Sequence, residues 1–142
     1  MKHFLKIIIS LFLIISACSD NATEPLNTLK IEDIVGRYSS MELTKAENGV
    51  VTDLYEIGVR LEIILNSDYT MGGTFFVPDT LGLLEEDMEG DILVNLNGTF
   101  SFAEDTLKIE SNIDLFIRDA NWFFDGNKMY TEDFIHAVLV KK

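Results

Sequence analysis

The sequence predicts an all-β fold, an antiparallel up-and-down barrel of eight or nine strands. Short runs of alternating apolar and polar residues are separated by clusters of Asn, Asp and Gly, which is typical of strands joined by tight turns. No helical stretch of a dozen residues lies between two such runs, so parallel crossovers are excluded. A meander of many short strands avoids free edges most simply by closing into a barrel.

The composition limits the size and the partners of this fold. The chain has 142 residues, of which 47% are hydrophobic and 25% are charged. This length and composition are typical of one compact domain. Acidic residues outnumber basic ones 24 to 11, which gives a net charge of −13. Nucleic acid is therefore not expected as a partner, because phosphates bind to clustered Lys and Arg side chains.

The first 17 residues have the layout of a secretory signal. Two lysines precede a nine-residue apolar run at 7–15, and two small residues precede Cys18. The apolar run is too short to span a bilayer, which takes about 20 residues. The sequence therefore predicts that residues 1–17 are removed.

The residues around the predicted cleavage point, Ile15-Ser16-Ala17-Cys18, resemble the lipobox of bacterial lipoproteins. The resemblance implies that Cys18 is the lipidated first residue of the mature chain, bound to a diacylglycerol and acylated at its amino group, for example with palmitate. Several acyl chains give a stable membrane anchor. The alternative is a buried free cysteine behind an uncleaved helix. Ser19 instead of Asp favours the outer membrane of a Gram-negative cell envelope, by resemblance to the enterobacterial sorting rule. The polar residues 19–30 are expected to form a tether between Cys18 and the folded domain.

The predicted barrel domain covers residues 31–142. In chain order we expect a helical turn at 31–36, a strand at 37–45, a less clear stretch through 51–55, and strands at 59–65, 69–77, 92–102, 106–110, 113–118, 121–124, 128–131 and 134–140. Asn48-Gly49 is a turn signal, and Gly72-Gly73 suggests a bend or bulge. The residues expected in the core are Leu61, Ile63, Leu96, Phe100, Phe102, Leu107, Ile109, Leu115 and Ile117.

Four short motifs resemble the lipocalin-like superfamily in its broad bacterial sense. They are Gly36-Arg37-Tyr38 after the helical turn, Leu-Asn-Ser-Asp-Tyr at 65–69, Gly-Thr-Phe-Ser-Phe at 98–102 and Asp-Thr-Leu-Lys-Ile at 105–109. Tyr38 stands where true lipocalins have the Trp of Gly-x-Trp. The resemblance implies a lipocalin-like barrel that binds a small molecule.

The sequence favours a binding module over an enzyme. If the signal is removed, His136 is the one remaining histidine and Cys18 is acylated, so a nucleophilic triad would depend on His136 alone, and a satisfied histidine in the barrel wall is the preferred interpretation. The residues that could contact a small apolar or amphipathic ligand are Phe75, Phe100, Phe102, Trp122 and His136. A solid and a ligand-holding interior are equally compatible with this length. The alternative function is a solid-cored envelope interaction or assembly protein whose acidic surface docks a basic partner.

The longest predicted connection, 79–91, combines an apolar side with a run of carboxylates. We interpret it as a mobile loop that could cap the barrel mouth. Glu85, Asp87, Glu89 and Asp91 are the weak candidates for a Ca²⁺ site, but they lack the spacing of a calcium loop, and a solvated loop is the preferred interpretation. We expect no cofactor, and a monomer.

Overall fold

The computed structural model describes residues 29–79, 90–103, 105–113, 116–132 and 134–142. Its strands are β1 (Gly36–Glu47), β2 (Val50–Asp53), β3 (Arg60–Leu65), β4 (Thr70–Val77), β5 (Ile92–Ala103), β6 (Thr106–Ser111), β7 (Trp122–Asp125), β8 (Lys128–Glu132) and β9 (Ile135–Lys141). Two single-turn helices are present in these residues, α1 (Ile31–Ile34) before β1 and α2 (Phe116–Asp119) between β6 and β7.

Eight of these strands form a closed antiparallel barrel, which confirms the predicted fold class. From β3 to β9 each strand pairs with the next in sequence, and β1 closes the wall by pairing with β3 on one edge and β9 on the other. In the closing pair Tyr38 lies opposite Lys141 and Lys45 opposite Ile135, with a bulge between Ser40 and Glu42. Closure leaves none of these eight strands with a fully open edge.

Within the described part of the chain, the one strand outside this set of eight is β2. It pairs with the same edge of β1 as β3 does and lies in line with β3. Ser39 pairs with Glu62 of β3, and Thr44 pairs with Asp53 of β2. The two positions are offset by five in the numbering of β1 (44 − 39) and by nine on the partner side (62 − 53), so the partner carries four extra residues. β2 and β3 are therefore two pieces of one wall strand, split by the turn at 54–58.

The barrel has two ends that we name for the elements that mark them. The hairpin end is where β1 turns into β2 at Asn48-Gly49, and the helix end is where α1 precedes β1. The φ angles of Asn48 and Gly49 are 51° and 81°, as a tight turn of the primed type requires, and this confirms the Asn-Gly turn signal. The paired glycines of β4 make no bulge, because the β3–β4 register runs through them without a shift.

The alternation that predicts β3 and β5 is confirmed by burial. Leu61, Ile63 and Leu65 of β3 point inward and are at most 1% exposed, and Leu96 and Phe100 of β5 are buried in the same phase. The other predicted core residues that are buried are Leu107, Ile109 and Ile117. Phe102 is half-buried rather than buried, and Leu115 lies outside the described residues.

The predicted strand at 113–118 is wrong. Phe116–Asp119 is the helical turn α2, and Ile113 lies in a bend before it. Ile117 and Ala120, three positions apart, are both buried, a spacing that fits a helical turn and not a strand. The strand count remains nine because the less clear stretch contains β2.

Candidate functional site

The middle of the barrel is filled by its own side chains. Trp122 is completely buried, and its indole Nε1 donates a hydrogen bond of 3.2 Å to the carbonyl oxygen of Ile117 in α2. Leu43, Met129 and Leu139 on the surrounding strands are also 0% exposed. Because neighbouring atoms cover the whole surface of these four side chains, no water-sized space is left beside them. A small molecule therefore has no room next to Trp122.

The predicted ligand contacts lie at different heights of this interior. Phe100 is a core residue whose ring is 5.6 Å from the Tyr69 ring. Phe102 is at the helix end, where its ring lies 6.1 Å from that of Phe124. Phe75 is at the hairpin end of the barrel, the end opposite α1, and it pairs with Leu61 and Val94. Its ring is half-buried, and the ring centroid lies 5.9 Å from that of Phe116.

His136 is on the outer face of the wall and does not line the interior. It pairs with Thr44 and alternates with the buried Ile135 and Ala137 of β9. Its side chain is 40% exposed, with Nε2 3.7 Å from a carboxylate oxygen of Glu42. The structure therefore separates His136 from the four aromatic residues with which the sequence analysis grouped it.

A groove of about 500 Å³ lies at the hairpin end, and we call it the hairpin groove. Its lining residues are Lys45, Glu47, Asn48, Val50, Thr52, Leu54 and Ile57. Lys45 pairs with Thr52, and Glu47 with Val50, so these four side chains share one face of the β1–β2 hairpin. Lys45 is two positions after the buried Leu43, so this face continues the inner surface of the wall beyond the packed core.

The apolar floor of the groove comes from the turn that splits β2 from β3. Leu54 and Ile57 are partly buried and pack against the core. The turn is held by backbone hydrogen bonds, since the Leu54 and Tyr55 amides both donate to the carbonyl oxygen of Leu43 (2.8 and 3.1 Å) and the Val59 amide donates to that of Leu54 (2.9 Å). The groove therefore has a fixed apolar floor beneath an exposed hairpin.

The rim of the groove carries an ion pair. Lys45 Nζ lies 2.6 Å from a carboxylate oxygen of Glu47. The hydrogen bond from Lys45, and then its positive charge, hold the pKa of the Glu47 carboxyl below its usual range. Both side chains are exposed, so the pair adds little to stability and both groups remain accessible to a polar ligand group.

The back of the same turn is fixed by Arg60. Its guanidinium carbon lies 3.9 Å above the centre of the Tyr55 ring. One guanidinium nitrogen donates to the carbonyl oxygens of Tyr55 (2.6 Å) and Val59 (2.8 Å). A cation over an aromatic ring is attracted to its face, so these contacts hold the turn from outside.

Only the ends of the predicted long loop fall in the described residues. The Asp79 amide donates a hydrogen bond of 3.0 Å to the Asp91 carboxylate, which brings the two ends together at the hairpin end. Glu85, Asp87 and Glu89 of the candidate Ca²⁺ site lie outside the described residues, as does Cys18. Within the described ranges, no three His, Cys, Asp or Glu side chains are placed to hold a metal ion.

The hairpin groove was missed by the sequence analysis. Its one clear signal is Asn48-Gly49, which places two strands side by side without showing which face is concave. The sequence around Val50 does not alternate, because all four residues of β2 are exposed. Leu54 and Ile57 belong to a turn, where no periodicity shows which side chains are covered.

The chain matches none of the protein families, curated proteins or solved structures with which it was compared. The described residues contain no helix with the length and hydropathy needed to cross a membrane.

Proposed function

We propose that the protein is a lipid-anchored, lipocalin-like binding module that holds a small amphipathic molecule in the hairpin groove. The observation that carries the proposal is the groove itself, about 500 Å³ in volume, at the mouth of a closed barrel. Ligand sites are concave, mostly apolar and about 300–1,000 Å³ in volume, with a few polar groups that fix orientation. No step of the proposal requires catalysis.

The lining suggests how such a ligand would be oriented. Its apolar part would cover Leu54 and Ile57, which the core holds in place. Its polar group would meet Lys45 and Glu47 at the rim, where a positive and a negative charge are both within reach. The filled barrel below limits the depth of binding, so the ligand stays at the mouth and exchanges without opening the barrel.

The anchor is part of the same proposal. The lipobox resemblance at Cys18 supports a chain attached to the envelope, with the outer membrane as the favoured site. An anchored barrel would hold an amphipathic molecule near the membrane surface from which it came or to which it goes.

A titration with an amphipathic dye tests the groove. We would measure the fluorescence of 1-anilinonaphthalene-8-sulfonate with the wild type, Val50→Glu and Val51→Glu. Val50 faces the groove, and Val51 is the next residue on the opposite face, similarly exposed at 69% against 64%. A carboxylate placed on the groove face should weaken binding of the anionic dye by about tenfold, equivalent to about 1.4 kcal/mol, and Val51→Glu should bind like the wild type. Equal effects of the two substitutions would place the dye elsewhere and reject the groove as its site.

The runner-up function, a solid-cored protein that docks a basic partner, is favoured by the filled interior and the net charge of −13. It predicts no dye binding in the groove, so the same titration separates the two functions.

A further inference from the structure

The strand β2 has a free edge within the described residues. It pairs with β1 and lies at the end of the sheet order. The hydrogen bond from the Leu54 amide to Leu43 shows which pairs are bonded, because bonded and non-bonded pairs alternate along an antiparallel ladder. Val50 and Thr52 therefore bond to β1, and the backbone N–H and C=O groups of Val51 and Asp53 point away from it.

Within the described residues, the free edge is protected only by the short length of β2, four residues, and by the charge of Asp53. Edge strands are normally guarded by lysines, prolines, bulges or a covering element, because unpaired backbone groups can bind another strand. β2 has the sequence Val-Val-Thr-Asp, its residues are all exposed, and its register with β1 contains no bulge. Val50 and Val51 are 64% and 69% exposed, and β-branched residues favour an extended partner beside them.

We propose that the β2 edge binds an extended, basic segment of a partner protein by adding it as a further strand. This site is distinct from the hairpin groove, because it uses the backbone edge of β2 and not its inner face. Main-chain hydrogen bonds to Val51 and Asp53 would supply register, and side chains at alternate positions would supply selectivity.

The charge around the edge argues for a basic partner over a second copy of this chain. Residues 44–60 carry the carboxylates of Glu47, Asp53 and Glu56 against Lys45, which is paired with Glu47, and Arg60, whose guanidinium lies over the Tyr55 ring. Asp53 lies on the outer face with Val51, so an added strand would place a Lys or Arg beside Asp53 and an apolar residue beside Val51. Two copies would each bring a net charge of −13 to the contact.

Synthetic peptides test the proposal on the full chain. The probe is acetyl-Lys-Thr-Val-Thr-Lys-Thr-amide, in which Lys and Val follow each other on one face as Asp53 and Val51 do on β2, with a Glu-for-Lys peptide as its matched control. We expect the basic peptide to bind and to slow hydrogen exchange of the Val51 and Asp53 amides, with little change at Val50 and Thr52, which already bond to β1. Added salt should weaken binding, because the carboxylates are exposed.

Two protein variants and one modification of the peptide separate the contribution of backbone hydrogen bonds from that of charge. Val51→Pro removes the backbone N–H of residue 51, a donor that β1 does not use. The loss of one hydrogen bond should weaken binding of the basic peptide by about tenfold. Asp53→Asn keeps an acceptor for the Glu56 amide, which donates 2.9 Å to Asp53, but removes the charge, and it should also weaken binding. N-methylation of the peptide along one edge should abolish binding, while methylation along the other edge should not, and this control leaves the protein unchanged.

Four results would overturn the proposal. They are equal binding of the acidic peptide, binding that survives Val51→Pro, protection of the Val51 and Asp53 amides before any peptide is added, and a concentration-dependent dimer that Val51→Pro dissociates. The last would assign the edge to a second copy. Dye binding in the groove is read separately, so failure here leaves the proposed function to its own test.

Discussion

The hydroxyl of Tyr38 donates a hydrogen bond of 2.7 Å to the carbonyl oxygen of Ile34. The bond joins the first barrel strand to α1, and both residues are at most 1% exposed. Lys141 adds a second tie, since its Nζ donates 2.9 Å to the carbonyl oxygen of Asp33. The helix end is thus closed by backbone carbonyls of α1 that receive side-chain donors from both closing strands.

Tyr38→Phe should reduce the free energy of unfolding by about 1 kcal/mol at neutral pH, because the buried carbonyl of Ile34 loses its donor. Burial raises the pKa of Tyr38 to about 12 from 10.0. Because the pKa of Tyr38 is higher in the folded chain than in the unfolded chain, the stabilisation from its protonated hydroxyl is complete below pH 10 and is lost as the pH rises towards 12. The wild type should therefore lose stability in this window, and Tyr38→Phe should lose less. Urea unfolding at pH 8 and about pH 11 measures both, and Tyr69→Phe is the control that keeps Tyr38 and its alkaline loss.

Gly73→Ala should destabilise the barrel by more than about 2 kcal/mol. A Cβ at this position would overlap with the carbonyl oxygen of Glu62 on β3, and the φ of Gly73 is +150°. Gly72→Ala is the matched control, because its Cβ would have an ordinary contact of 3.7 Å with the carbonyl oxygen of Leu96. Its effect should stay within about 1 kcal/mol. Similar melting temperatures for the two variants would contradict the close approach of β3 and β4.

Thr131→Val should stabilise the protein by about 1 kcal/mol, because it replaces a buried hydroxyl with an apolar group of similar shape. Thr131 is 0% exposed, and among the described residues its Oγ1 has no hydrogen-bond partner. Thr70→Val is the contrasting change, since the Thr70 hydroxyl donates 2.6 Å to Asp68 and accepts 3.0 Å from Asn66. That variant should lose stability in the same urea experiment. A loss in Thr131→Val would show that its hydroxyl is bonded in solution.

Phe100→Ala should reduce the free energy of unfolding by about 3–5 kcal/mol through lost transfer energy and the cavity left behind. Phe100 is 4% exposed and lies opposite Ile109 of β6. Leu93→Ala on the same strand removes a side chain that is 62% exposed and should change stability by less than about 1 kcal/mol. A loss below about 1 kcal/mol in Phe100→Ala would mean that the strand phase of β5 is reversed.

Cys18→Ser tests the anchor. In a host that processes lipoproteins, we expect mass spectrometry to find a chain that begins at an acylated Cys18, and the protein to fractionate with membranes. The serine variant should appear in the soluble fraction, because serine provides no thiol for the diacylglycerol. Recovery of an unmodified full-length wild-type chain would exclude the lipoprotein assignment.

The sequence contains enough to predict the strands that bury one face. In β3 and β5 most inward residues are apolar and most outward residues are polar, with Ile64 and Leu93 as outward exceptions, so the period identifies both the strand and its core side. The run 113–118 misleads because a short apolar run can be covered as a helical turn as well as a strand, and the choice is made by tertiary contacts such as the Trp122 hydrogen bond to Ile117.

The candidate site was harder to predict than the wall. The aromatic residues proposed from sequence as ligand contacts differ little in type from those that fill a core, and Trp122 and Phe100 are in fact packed as core residues. The hairpin groove depends on four extra residues in one wall strand and on which face of the hairpin is concave. Neither follows from local pattern, because the first depends on how β1 pairs with both β2 and β3, and the second on how the turn after β2 packs against the core.

The pairing of β1 with β9 has a consequence for the order in which the protein folds. It joins Tyr38 to Lys141, so the wall closes only when segments at opposite ends of the described chain meet. Contacts of such wide sequence separation form late, because the intervening chain must first lose its conformational entropy. Until β9 is in place, β1 and β8 each keep an open side, whose unpaired backbone groups can bind a strand of another molecule.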